Sequence, residues 1–203
     1  MLQRSSVVIP NPVDGERFLR GVPSEESRTE VLWIGRYDRH HKRPHLVLEV
    51  AQLCPNIPFH LVINRSDPQV EREIRSSCPA NVRISDYIPG NEIPSAFRAA
   101  RLFLSTGSNA FEGFPNVLLE AAASGTPIVS LEDFDGFLSD SNAGVATGND
   151  TALLAARVRE LWEMPTAWHV HSRSGAEYVR RQHSLPACVS AFLRAIRTPQ
   201  PPK

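Results

Sequence analysis

The sequence predicts an α/β fold, a parallel sheet with helices on both faces. Three observations lead there. Short apolar runs rich in β-branched residues alternate with longer stretches of helical spacing along most of the chain, the pattern of βαβ units with right-handed crossovers. The short runs are continuously apolar rather than alternating, as strands are when helices cover both sides of the sheet. The 203 residues, 41% hydrophobic and 22% charged, suit one domain with a well-buried core.

In chain order, residues 31–35 (Val-Leu-Trp-Ile-Gly) read as a buried strand ending in glycine. Residues 44–53 place Leu46, Val47, Val50, Ala51 and Leu53 on one helix face. A second strand is expected at 59–63, a charged, exposed helix at 68–76, a short strand at 82–84, a helix at 92–100 and a strand at 102–104. A Leu- and Ala-rich helix follows at 116–124, then strands at 127–130 and 144–146. From Asp150 the pattern is helical throughout. Residues 1–21 read as an extended interdomain segment, 22–182 as the domain, 183–197 as an amphipathic helix and 198–203 as a tail. In that helix Leu185, Val189, Phe192, Leu193 and Ile196 share a face that needs a partner surface.

Lys plus Arg and Asp plus Glu both number 22, a net charge of zero. There is no general pull toward nucleic acid or an anionic membrane, so any anion site must be local. Cys54, Cys78 and Cys188 form no CxxC pair and no zinc spacing, as expected of incidental thiols in a reducing compartment. No run approaches the ~20 apolar residues of a membrane span, and no apolar signal core follows the first residues. The expected location is the cytoplasm; a peripheral membrane contact has no support in the residues.

Ligands of open α/β sheets bind outside the carboxyl ends of the strands, so the segments after each strand carry the functional argument. After the first comes Gly35-Arg-Tyr-Asp-Arg-His-His-Lys-Arg-Pro44. Gly35 permits close backbone approach, and Pro44 suits a first helical turn. Arg36, Arg39, His40, His41, Lys42 and Arg43 concentrate cations in an otherwise neutral protein. One charge pair at ~4 Å and an effective dielectric of ~20 is worth roughly 4 kcal/mol before desolvation, against ~0.3–1 kcal/mol from a helix start. The segment predicts an electropositive pocket; a solvated basic loop is the alternative. After the fourth strand, residues 105–116 end in Glu112-Gly-Phe-Pro-Asn116. Free N–H groups around Gly113, Phe114 and Asn116 would form a donor nest. Glu120 follows Glu112 by eight positions among Val117, Leu118, Leu119 and Ala121, a setting that is expensive for a carboxylate without hydrogen bonds. Ligand hydroxyls would supply them, unless this is a glutamate facing solvent. Cations for phosphates and carboxylates for sugar hydroxyls together suit a nucleotide sugar. Neither GxxxxGK[ST] nor GxGxxG is present.

These residues resemble the C-terminal, donor-binding domain of the GT-B glycosyltransferases of family 4. Glu112…Glu120 is similar to the family's E-x7-E motif, residues 124–129 (Ser-Gly-Thr-Pro-Ile-Val) to its following glycine turn and strand, and Gly35-Arg36 with Lys42 to its diphosphate-binding pair. Residues 8–14 (Val-Ile-Pro-Asn-Pro-Val-Asp) resemble the family's passage into its second domain. The resemblance implies a Rossmann-like domain, the C-terminal half of a GT-B fold. It implies a retaining hexosyltransferase in which Arg36 and Lys42 neutralise the leaving diphosphate, with no metal and no cofactor. Glu112 with the Gly113–Phe114 backbone would hold the hexose. Glu120 would accept from the ribose, and Asn116 and Val117 would border the donor. Tyr87 and Ile88 would flank the base. UDP- and GDP-linked donors both remain open, and the products would be polysaccharides or glycoconjugates. Pro115, Asn64 and Asp86 depart from common family glycines. The family's N-terminal acceptor domain is not recognisable in this sequence. The isolated chain is therefore expected to bind donor weakly and to transfer nothing without that domain or a partner subunit.

His41 and His45 are spaced to share a helix face but lack a third metal ligand. His60, His169, His171 and His183 are scattered. Trp33, Trp162 and Trp168 read as packing residues. Ser105 and Ser108 lack a GxSxG setting, and Asp133, Asp135 and Asp140 resemble a loop near the donor sugar. The competing readings are a non-catalytic nucleotide-sugar-binding module and a sugar-nucleotide epimerase.

Overall fold

The computed structural model describes residues 8–18 and 24–197. The apolar runs become six strands: β1 (Glu30–Arg36), β2 (Phe59–Asn64), β3 (Val82–Ser85), β4 (Ala100–Ser105), β5 (Ile128–Ser130) and β6 (Gly144–Ala146). All pair in parallel, in the order β3-β2-β1-β4-β5-β6. The helices are α1 (Gly15–Phe18), α2 (Pro44–Leu53), α3 (Pro68–Ser76), α4 (Ile93–Ala99), α5 (Asn116–Ala123), α6 (Phe137–Ser141), α7 (Thr151–Glu163), α8 (Pro165–Gln182) and α9 (Leu185–Arg197).

Successive strand side chains point to opposite faces, and the two faces supply separate cores. Val31, Trp33, Leu61, Ile63, Leu102, Leu104 and Val129 pack with α2, α3, α7 and Trp168 on one side. Leu32, Val62, Phe103 and Ile128 pack with α4, α5, α6 and Val179 on the other. Local signals set the helix starts. Asp67 accepts from the N–H groups of Gln69 and Val70 beside Pro68, and Asp150 accepts from Leu153 N–H. Gly144 lets β6 lie against β5, because a Cβ there would enter the Ile128 carbonyl.

The sequence expectation differs in three places. The leading segment is not extended throughout: Asp14 accepts from Arg17 and Phe18 N–H, turning 15–18 into α1 and burying Phe18 against Phe97. Residues 131–143, for which the sequence predicts no element, contain a 3-10 turn at Phe134–Gly136 and α6. Both are too short for a periodicity signal. His41 lies before α2, so it shares no helix face with His45. Leu185, Val189, Phe192, Leu193 and Ile196 of α9 are exposed, while Cys188 is buried, as expected of a face that needs a partner. Residues 1–7, 19–23 and 198–203, which include the expected tail, lie outside the described residues.

One buried cation ties the amino ends of the sheet together. Arg28, 3% exposed, donates to the carbonyls of Ala100 and Ser124 and to Thr126 Oγ1, each at 2.9 Å, and lies over the Trp168 ring. Burial, then Arg98, lowers its pKa to about 10, so it stays protonated at neutral pH. Arg28→Ala orphans these acceptors. It is expected to destabilise the domain by about 3 kcal/mol, roughly 6–12 °C in Tm, with only partial recovery in Arg28→Lys; thermal unfolding of the variants checks this.

Candidate functional site

The strand order turns back on itself between β1 and β4. Outside the carboxyl ends of two such strands the loops diverge and leave the crevice in which open α/β sheets hold ligands. The site is built from the β1–α2 loop on one side and the β4–α5 loop on the other.

Asp38 organises the first loop. Its carboxylate accepts from the backbone of His40 (2.9 Å) and His41 (2.7 Å), pairs with the His41 ring (2.9 Å), and lies 3.4 Å from Arg36 Nε. Burial alone would raise its pKa; the His41 and His40 bonds outweigh that and bring it down to about 2. The loop ends at Arg43, which caps α2 in the left-handed region at φ 50°, a conformation that costs a non-glycine residue roughly 1–2 kcal/mol. Its guanidinium compensates. Nε donates to Thr106 O (2.6 Å), Nη1 to Asn149 Oδ1 (2.9 Å), and Nη2 to Gly107 O and to Glu132 Oε1 (3.0 Å).

Further bonds join the two loops. Ser108 N–H donates to His41 O at 3.1 Å. Trp33 Nε1 donates to Thr106 Oγ1 (2.9 Å), which donates to Lys42 O (2.6 Å). Across the gap Lys42 Nζ forms an ion pair with Glu112 Oε1, the two side chains 21% and 15% exposed. Glu112 Oε2 is buried without a hydrogen-bond partner. Gly107 makes room for it, since a Cβ there would lie 2.6 Å from that oxygen. Lys42 and Lys203 are the lysines of a chain whose other permanent cations are arginines.

The β4–α5 loop continues into open polar space. A Cβ added at Gly113 would meet nothing within 4 Å. The N–H groups of Gly113, Phe114, Asn116 and Val117 have no partner among the described residues, so the start of α5 presents free donors. Asn116 Oδ1 accepts from Asn11 Nδ2 at 2.9 Å, and Phe114 packs against Phe137 and His183. Val117 and Ile88 are half-buried against the α4–α5 core, whereas Tyr87 is 69% exposed. Burial raises the Glu120 carboxyl, Arg17 opposing it weakly; no described residue hydrogen-bonds this carboxylate.

The structure thus brings Lys42, Glu112 and the α5 amino end together, with Gly35 and Arg36 ending the adjacent strand. Two expectations change. The pocket is not electropositive, because Arg36 pairs with Asp38, Arg39 with Glu73, Lys42 with Glu112 and Arg43 with Glu132. Three of those acids lie far along the chain. Gly35 is required by Trp33, whose indole occupies the space of any Cβ at 35. Asp86 pairs with Arg75 and Arg65.

The model of the family described as glycosyl transferases group 1 matches residues 28–164. The chain belongs to the glycosyl transferases group 1 family. A relative, phosphatidyl-myo-inositol mannosyltransferase of Mycobacterium leprae, is 28% identical over 97% of this chain and 54% of its own length; the chain spans about half of that curated relative. Among solved structures, a variant of S. aureus TarM in complex with fondaparinux, α-GlcNAc-glycerol and UDP superposes with a TM-score of 0.76 at 20% identity, over 95% of this chain and 39% of that one. The C-terminal domain of the group 1 glycosyltransferase LpcC from Francisella tularensis matches with a TM-score of 0.68 at 17% identity, over 85% of this chain and 99% of that domain. The fold is that of a GT-B C-terminal domain.

In this group 1 glycosyltransferase domain, sequence reasoning treats Arg43 as one more cation and misses Glu132 and the organising part of Asp38. A positively charged residue at a left-handed position leaves no local signal, and Glu132 meets Arg43 from 89 positions away. Glu120 yields a pH prediction. Its folded pKa lies above the unfolded value, so folding binds the proton more tightly, and stability falls as pH rises from the unfolded through the folded pKa. Glu120→Gln is therefore expected to be more stable at pH 7 by about 1 kcal/mol, roughly 2–4 °C. The gain should shrink as pH falls toward ~4.3, the ordinary glutamate value. Tm measured against pH for both proteins tests this.

Proposed function

We propose that this chain is the donor-binding half of a retaining, metal-independent family 4 enzyme that moves a hexosyl group from a nucleotide-diphosphate sugar to an acceptor in cytoplasmic polysaccharide or glycoconjugate synthesis. The observation that carries the reading is the Lys42–Glu112 pair at the β1/β4 crevice, beside the free N–H groups of α5. Each partner holds the other where ligand groups would go. A diphosphate takes the ammonium, sugar hydroxyls take the carboxylate, and the buried Glu112 Oε2 gains the donor it lacks. Arg36 adds the second cation by leaving Asp38. Gly113 and Phe114 N–H bind hexose oxygens, Glu120 accepts from ribose hydroxyls, and Tyr87 and Ile88 border the base. Asn116 and Val117 line the floor. Charge built up on the departing diphosphate is met by Lys42 and Arg36 without a metal.

UDP is the nucleotide in the TarM complex, and the curated relative transfers mannose; UDP- and GDP-linked donors are both consistent with this site. The acceptor belongs to a further domain or subunit, a reading supported by the coverage of about half of that relative. Alone, this half is a nucleotide-sugar-binding module.

A thermal-shift panel of UDP, GDP, ADP and their sugars tests the reading. A ligand at 100 times its Kd stabilises by ~2.7 kcal/mol, and no shift with any of them would remove the proposal. Lys42→Ala is expected to weaken the bound nucleotide by ~1.5–3 kcal/mol. Glu112→Gln should act in opposite directions on two ligands, because it frees Lys42 but replaces the charged acceptor of the sugar hydroxyls with a neutral amide that keeps one acceptor oxygen. The bare diphosphate should bind more tightly and the sugar nucleotide lose its advantage over it, as read by calorimetric titration.

A further inference from the structure

We infer that Arg43 is a positioning residue that fixes the Lys42 ammonium for the donor diphosphate. For its ligand the inference rests on the transferase reading above.

Arg43 is not itself a phosphate ligand. Its side chain is 16% exposed, and Nε, Nη1 and Nη2 are each engaged by the protein. What those bonds join is informative. Thr106 and Gly107 belong to the segment that leads to Glu112, and Thr106 also donates to the Lys42 carbonyl. Lys42, the residue before Arg43, pairs with Glu112. The guanidinium therefore ties together the two backbone segments that carry the two halves of the ion pair. Glu132 completes the clamp: one oxygen accepts from Arg43 and the other from Asn109 N–H at 2.8 Å, between Gly107 and Glu112 in the chain. The left-handed turn at 43 sends consecutive side chains to different partners, Lys42 to Glu112 and Arg43 to Glu132. A lysine carries its charge on a flexible four-carbon stem, while an arginine presents a planar fork. The arrangement uses the rigid group to aim the mobile one.

The test compares Arg43→Gln with the native chain for UDP and UMP, in native and Lys42→Ala backgrounds, with thermal midpoints recorded alongside. Acting through Lys42, Arg43→Gln is expected to weaken UDP about tenfold while changing UMP under twofold, and to add no further loss once Lys42 is gone. Equal losses for the two nucleotides, or a full further loss in the Lys42→Ala background, would overturn the inference. A ligand-free readout separates it from the transferase reading. With 13Cε-lysine labelling, the chain gives signals from Lys42 and Lys203. The paired Hε protons of Lys42 should be resolved in the native protein and merge in Arg43→Gln. If the native chain binds no nucleotide, the transferase reading fails and this spectrum decides alone: an unchanged Lys42 signal in Arg43→Gln overturns the positioning role.

Discussion

A crevice between diverging loops needs something to hold the loops apart at one distance, and here that is the largely buried guanidinium of Arg43. Parallel strands are fixed by their ladder at a spacing of about 4.8 Å, but the ladder ends where β1 and β4 end. Beyond it the loops are joined by side chains: Arg43 to the Thr106 and Gly107 carbonyls and to Glu132, Trp33 through Thr106 to the Lys42 carbonyl. A strained left-handed residue is retained at the junction because several acceptors over-determine it.

The same junction sets the electrostatics. Four cations lie at and beyond the end of β1 and four carboxylates answer them, so the crevice carries little net charge. Affinity for an anion then depends on exchange rather than on raw attraction. An incoming phosphate must displace a carboxylate, and the displaced carboxylate must find donors of its own. A ligand bearing both phosphate and hydroxyl groups satisfies both ends of the exchange; inorganic phosphate satisfies one.

Much of the fold is legible in the sequence because strand burial is a local property. Residues such as Val31, Trp33, Leu61 and Leu102 show their buried state in their own chemistry and that of their neighbours. The acids Glu112 and Glu120 are likewise visible, through their spacing and the apolar company of Glu120. What stays hidden depends on distant partners. The Arg43–Glu132 contact spans 89 positions and the Lys42–Glu112 contact crosses from one loop to the next. The reason for Gly35 is a ring two residues away, visible only once the indole's direction is known. The short α1 and α6 carry too few turns to display a period.

Beside the amino end of α5 two remote stretches of backbone run together. Val13 N–H donates to His183 O at 2.8 Å, the His183 ring bonds Asn11 O, and Asn11 reaches Asn116. An isolated bridge, Val13 to Ser184, joins the two stretches, so the leading segment and the α8–α9 junction are held as a pair. Through Asn11 that pair is hydrogen-bonded to the residue that opens α5, which couples a segment 105 positions upstream to the rim of the free donors.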